Sequence, residues 1–227
     1  MAMPRMIAID GPAASGKSTV AERVANEIGY IFFDTGVMYR AVTWAALARL
    51  QGVQDEAEVS ALAEQVDIDI QAASLSDGRK CDVLLDGTDI TWEIRRQDVE
   101  ANVSVVAAYP QVRKAMTAIQ RKIGMRGGIV MVGRDIGTVV LPEAELKIYL
   151  DASVEERARR RCAELQQRGQ SVSLDEILAA MRERDRIDST RAVAPLRPAE
   201  DAIQLCTDGL DIEQVVEKVL GYVKKSS

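Results

Sequence analysis

The sequence predicts an α/β protein built on a parallel sheet, and three features carry that expectation. A short apolar run from Met6 to Asp10 breaks at Gly11-Pro12, and a helical pattern through Val20, Val24 and Ile28 then stops at Gly29. A second run, Tyr30 to Phe33, leads through Asp34 into another amphipathic helical pattern carrying Tyr39, Val42 and Leu47. From Val66 the period changes, because Val66, Ile68 and Ile70 alternate with polar residues. Strand–helix alternation implies parallel strands with functional loops at their carboxyl ends, and the alternating segment implies a small added antiparallel sheet.

The later elements follow in order. Val83 to Leu85 followed by Asp86-Gly87 reads as an antiparallel hairpin. Helical character spans Val99 to Ile123, and Ile129 to Val132 is a buried strand ending in Gly133-Arg134-Asp135. Lys147 to Leu150 is a further strand. Ser153-Val154-Glu155-Glu156 and Ser173-Leu174-Asp175-Glu176 both match the capping-box pattern, so two helices joined near Gly169 are expected. Ile203 to Cys206 reads as the last strand, and Asp211 opens a closing helix rich in Val and Leu.

Composition narrows the function classes. With 47% hydrophobic and 28% charged residues over 227 positions, a folded domain with a substantial core is expected and long disordered tails are not. Lys plus Arg number 29 against 35 Asp plus Glu, and the net charge of −6 disfavours a polynucleotide partner. Cys81, Cys162 and Cys206 have no metal-binding spacing and there is no His, so reduced structural thiols are expected and any mechanism must work without imidazole. No secretory signal and no membrane-spanning apolar stretch are read in the chain, which makes the cytoplasm the expected location.

The strongest chemical signal is Gly11-Pro12-Ala13-Ala14-Ser15-Gly16-Lys17-Ser18, which fits G-x-x-x-x-G-K-[ST] between an expected strand and helix. Glycines allow backbone amides to curl around phosphate oxygens, and the helix N-terminus adds partial positive charge. Lys17 would bridge β- and γ-phosphates, and the Ser18 hydroxyl would face Mg²⁺. The motif does not by itself separate a kinase from a switch GTPase or a motor ATPase. No Asn-Lys-x-Asp run for reading guanine is present, which disfavours the switch.

A phosphate acceptor is already an anion at neutral pH, so transfer to it needs charge neutralisation and in-line positioning rather than a base. The expected signature is several arginines from different segments: Arg40, Arg134, Arg157, Arg184 and Arg191. Arg184, Asp188 and Arg191 follow i, i+4, i+7 spacing and share a helix face if the helix reaches them. The same spacing describes a solvated ion-pair face, as does the cluster Arg157, Arg159, Arg160 and Arg161.

Taken together, these stretches resemble the bacterial cytidylate kinases over nearly the whole chain. The matching residues are Ile9-Asp10-Gly11-Pro12 with Gly16-Lys17-Ser18-Thr19, Asp34-Thr35-Gly36 with Tyr39-Arg40, and Val105-Val106-Ala107 with Pro110 and Arg113. They continue with Gly133-Arg134-Asp135, Gly137-Thr138-Val139-Val140 and Arg191-Ala192-Val193-Ala194-Pro195-Leu196. The resemblance implies a single P-loop kinase domain over residues 1–227, a three-layer sandwich around a parallel sheet. It implies an inserted monophosphate-binding region at approximately 35–105, with a small antiparallel sheet, and a short helical lid at approximately 153–191. The implied activity is transfer of the γ-phosphoryl of ATP, with Mg²⁺, to CMP and dCMP; charge and hydropathy further suggest no nucleic-acid or membrane partner, and a monomer is expected.

By the same resemblance Lys17, Arg134, Arg157 and Arg191 act on the transferring group, and Gly11 through Thr19 hold the donor. Arg40, Arg134 and Arg191 correspond to acceptor-phosphate contacts, and Arg184 and Asp188 to sugar contacts. Ser104, Arg113 and Asp135 correspond to groups that read cytosine, and Thr35 is ranked above Asp34 for ligand contact. A carboxylate accepts cytosine's exocyclic amine but faces a carbonyl in uracil, so Asp135 would disfavour UMP. An ion pair with a neighbouring arginine is the alternative role for Asp135. The loop interior departs locally, since some relatives place a hydroxyl where Ala13 stands.

Overall fold

The structure, a computed structural model, describes residues 3–167 and 169–226. It divides into two compact units: residues up to Asp34 with those from Gln120 onward, and Thr35–Ile119 between them. The sequence suggests an insertion ending near 105. The second unit runs further, because the helix Gln97–Val106 packs on the helix Gly36–Arg49 and the chain passes directly into the helix that opens at Pro110.

The first unit contains five parallel strands, β1 (Met6–Asp10), β2 (Ile31–Asp34), β6 (Ile129–Gly133), β7 (Leu146–Asp151) and β8 (Ile203–Cys206). Their order is β2-β6-β1-β7-β8. Ile7 and Ile9, Val130 and Val132, and Leu146, Ile148 and Leu150 point to one face, as a period of two requires. Against it lie Val20, Ala21 and Val24 of α1 (Lys17–Ile28) and Val215, Val219 and Val223 of α8 (Ile212–Lys225). Each valine so buried contributes roughly 1.5–3 kcal/mol. Ala8 and Met131, on the opposite face, are also fully buried, which is why these strands read as continuous apolar runs.

Helices α6 (Val154–Gln167) and α7 (Leu174–Thr190) belong to the same unit. The two expected caps differ. Ser153 Oγ accepts from Glu156 N at 3.3 Å, whereas Ser173 makes no side-chain cap and the Glu156 carboxylate turns to Arg159 and Arg160. The reciprocal capping box occurs instead at Asp211 and Gln214, at the start of α8.

The second unit holds α2 (Gly36–Arg49), α3 (Glu56–Gln65), β3 (Ile68–Ala72), β4 (Cys81–Leu85), β5 (Thr88–Asp89), α4 (Gln97–Val106) and the start of α5 (Pro110–Gly124). The three strands form an antiparallel sheet of order β3-β4-β5. Asp86 and Gly87 have φ of 51 and 77°, the two positive values a tight two-residue hairpin turn demands. Between the helix carrying Leu47 and Val66 the sequence pattern expects no element, yet α3 forms there, with the Asp55 carboxylate capping Glu58 N at 3.0 Å. Val66 therefore ends that helix and the strand begins at Ile68. The single helical stretch expected from Val99 to Ile123 is two helices, because Pro110 disfavours helical backbone in Tyr109 and instead opens α5.

Candidate active site

The phosphate-binding loop leaves β1 and enters α1, so its backbone lies at the carboxyl edge of the sheet. Gly11 has φ 152°, and a Cβ there would fall 2.0 Å from the Leu150 carbonyl oxygen on β7, a space only hydrogen can share. Ala14 (φ 59°) and Gly16 (φ 87°) complete the curl into α1. No acidic residue occupies the first turn of α1 to compete for its amides. Lys17 is buried, and its Nζ donates to the Pro12 carbonyl at 2.6 Å. Burial pushes its pKa well below the ordinary lysine value, helped by the positive charges of Arg134 and Arg184 and opposed by Asp34 and Asp188. Ser18 Oγ donates to Asp34 Oδ2 at 2.7 Å, and the Ser15 hydroxyl is buried with no hydrogen-bond partner among the described residues.

Beside the loop is a cavity of about 430 Å³ lined by Ala14, Gly16 through Thr19, Arg160, Arg161, Glu164 and Ile212. Arg160 is fixed by Glu156 and by Thr207, whose carbonyl it contacts at 2.6 Å, and Arg161 reaches Glu164 at 2.8 Å. The sequence leaves Arg160 and Arg161 as solvated charges, and nothing in their spacing singles them out. Ile212 and Glu164 likewise carry no sequence signal. A second hollow of about 490 Å³ between α1 and α8 is crossed by the Arg23–Glu213 ion pair and has no phosphate-binding backbone, so it does not compete as the site.

The first unit also gathers Arg134, Asp135, Arg184, Asp188 and Arg191. Arg134, just past β6, pairs with Asp188 of α7 at 2.9 Å. Burial raises the cost of ionising Asp188, but Arg134 and Arg184 outweigh it and hold the carboxyl below its usual range. Burial likewise opposes the charge on Arg134, and Asp188, with Asp34 and Asp185, more than restores it. Arg191 lies one residue beyond α7, so the helix face extends only to Asp188; its guanidinium reaches the Ala194 carbonyl at 2.8 Å and Asp135 at 3.4 Å. Asp135 therefore makes the arginine pair that the sequence allows as its alternative role.

Arg157, expected to act on the transferring group, is gripped by Asp185 through both terminal nitrogens. It also donates to the Ala152 carbonyl at 3.0 Å and the Ala13 carbonyl at 3.3 Å. As placed, it braces the phosphate loop from α6.

The second unit carries Thr35, Arg40, Ser104 and Arg113. Thr35 is the buried N-cap residue of α2, and Ser104 is buried in α4. Arg40 pairs with Glu100 at 2.7 Å. Arg113 is 2% exposed, donates to the Ala107 carbonyl at 3.0 Å and lies over the Tyr39 ring at 5.3 Å from its centroid. Asp10, present in the sequence only as part of a matching stretch, accepts the backbone amides of Ile136 and Gly137 in the first unit, each at 2.8 Å.

The family model described as cytidylate kinase matches residues 7–225. A cytidylate kinase of Herpetosiphon aurantiacus is 49% identical over 98% of this chain and 96% of its own, and one of Roseiflexus castenholzii is 50% identical over 98% and 95%. A bifunctional pantoate ligase/cytidylate kinase of Synechococcus elongatus is 49% identical over 95% of this chain, which spans 41% of that longer protein. A shikimate kinase from Bacteroides thetaiotaomicron shares the fold, with a TM-score of 0.50 at 12% identity over 98% of this chain and 99% of that one.

Proposed function

The chain belongs to the cytidylate kinase family, and from that membership we propose that it moves the γ-phosphoryl of ATP to CMP and dCMP, giving ADP and CDP or dCDP. One observation carries the proposal. The phosphate-loop lysine, Lys17, lies within the electrostatic reach of Arg134 and Arg184, so donor-side and acceptor-side cations share one basic focus. The bond that forms joins an oxygen of the CMP phosphate to the γ-phosphorus; the bond that breaks leaves its electron pair on ADP. No base is required, which suits a sequence with no His.

Gly11 through Thr19 cradle the donor phosphates, and the partnerless buried Ser15 hydroxyl is suited to a phosphate oxygen. Lys17, Arg134 and Arg191 stabilise charge on the transferring group, and Arg157 serves them by holding the loop carbonyl of Ala13. Mg²⁺ fits at Ser18, because the hydroxyl proton is committed to Asp34 and the oxygen keeps its lone pairs. When bound, the ion neutralises charge on the β- and γ-phosphates. Arg40 joins Arg134 and Arg191 on the acceptor phosphate, Arg184 and Asp188 meet the sugar, and Thr35 touches the acceptor. Ser104, Arg113 and Asp135 read cytosine, with Asp135 accepting its exocyclic amine. The proposed protein is a cytoplasmic monomer with nucleotide partners only; its net charge of −6 would repel a polynucleotide. In domain terms, residues 1–227 act as one kinase with an acceptor-binding insertion and a lid over 153–191.

The test is ADP release with ATP–Mg²⁺ and each of CMP, dCMP, UMP, AMP and GMP. Turnover is expected to be strongest with CMP or dCMP. Preference for another monophosphate would overturn the base-reading roles, and ADP release indifferent to acceptor would overturn the kinase reaction.

A further inference from the structure

We propose that Asp10 is a positioning residue that sets the geometry of Arg134 and Asp135, and through them the selectivity for the acceptor base. The proposal rests on the reading of Asp135 as a group that recognises cytosine. Asp10 is the last residue of β1, and its backbone stands in register with Gly133 of the parallel neighbour β6. Its side chain reaches past that pairing: Oδ1 accepts the Ile136 amide and Oδ2 the Gly137 amide, each at 2.8 Å. The turn that carries Arg134 and Asp135 is therefore pinned at both ends, by the sheet at Gly133 and by one carboxylate at Ile136 and Gly137.

Two residues lie between these anchors, so neither has room to drift. The residues after them, Ile136–Val140, form a single π-helical turn, a rare geometry frequent at functional sites. Arg121 closes the far end of that turn by donating to the Val140 carbonyl at 2.6 Å. The clamp suits a carboxylate, because each amide reaches a different oxygen and a carboxamide in its place would set an NH₂ against one of them. Asp10 is 4% exposed, and solvent cannot replace it. The same strand runs on into Gly11, so the residue immediately before the donor loop also fixes the acceptor-side turn.

Asp10→Asn keeps the shape but turns one acceptor into an NH₂ facing a backbone N–H. The experiment compares kcat/KM for CMP and UMP in the wild type, Asp10→Asn and Asp135→Ala, with KM for ATP measured alongside. The expected result for Asp10→Asn is a CMP-to-UMP ratio lowered about tenfold, the scale of one lost hydrogen bond to a charged group. KM for ATP should change less than that ratio. A merely structural role would lower melting temperature and scale all rates together with the ratio intact, and that result overturns the proposal. A ratio that falls in Asp135→Ala but not in Asp10→Asn overturns the positioning role alone. A ratio unmoved in Asp135→Ala removes the base-reading role and this proposal with it. Should Asp10→Asn fail to accumulate, Asp10→Glu, which keeps the charge but displaces both oxygens from the Ile136 and Gly137 amides, is read the same way: a lowered ratio is again expected, and an unchanged one overturns the proposal.

Discussion

At the scale of single residues, burial decides most of the chemistry. Asp10 is pushed up to about 6 by burial, with repulsion from Asp135 adding and the two amide hydrogen bonds and Lys17 opposing. Its proton is then held more tightly in the folded chain than in the unfolded one, where the ordinary value is 3.8. Such a group contributes stability that is fully present below about pH 4 and is lost as pH rises through about 6. The unfolding free energy of the wild type, measured against Asp10→Asn at each pH, should therefore fall over that window by up to about 3 kcal/mol. Urea titrations at several pH values check this, and a flat difference would contradict the buried charge. The carboxylate is nonetheless retained at neutral pH, consistent with a task that an apolar residue cannot perform.

Helix starts make the case at the scale of elements, because sequence patterns there are satisfied in one place and unused in another. Asp211 and Gln214 exchange hydrogen bonds at 2.8 and 3.1 Å, and Ile212, the first residue of α8, lines the cavity beside the phosphate loop. Asp211→Ala should cost about 1 kcal/mol in chemical denaturation and raise KM for ATP severalfold. A loss of stability with KM untouched would detach α8 from the donor site. Ser173-x-x-Glu176 has the same pattern as Ser153-x-x-Glu156, yet only Ser153 caps, since a box is an option that neighbours can outbid. The short helix α3 leaves little trace in the sequence although Asp55 and Glu58 signal it, because its apolar residues are mostly alanines and its buried face includes Ser60.

The whole molecule brings together groups distant in sequence: within the first unit, Lys17, Arg134, Arg184 and Asp188 form one electrostatic cluster. A ligand that binds only the folded chain stabilises it by mass action, about 2.7 kcal/mol at a hundredfold excess over Kd. ATP–Mg²⁺ and CMP should each raise the melting temperature. Lys17→Ala should erase most of the ATP response and keep the CMP response; a retained ATP shift would take the lysine out of donor binding.

The sequence by itself determined the parallel sheet, the phosphate loop and the family, because strand period, glycine placement and the lysine–serine pair are local constraints that a linear pattern can express. It also set Arg184, Asp188 and Arg191 on one helical spacing, and the family resemblance added Arg134 and Asp135 as site candidates. The pairing of Arg134 with Asp188 and of Arg191 with Asp135, the bracing of Ala13 by Arg157, and the grip of Asp10 on Ile136 and Gly137 were decided only by tertiary structure. Each joins residues more than fifty positions apart. Which partner a buried charge finds depends on the three-dimensional distances and low dielectric of the folded interior, and neither is written in the order of the residues.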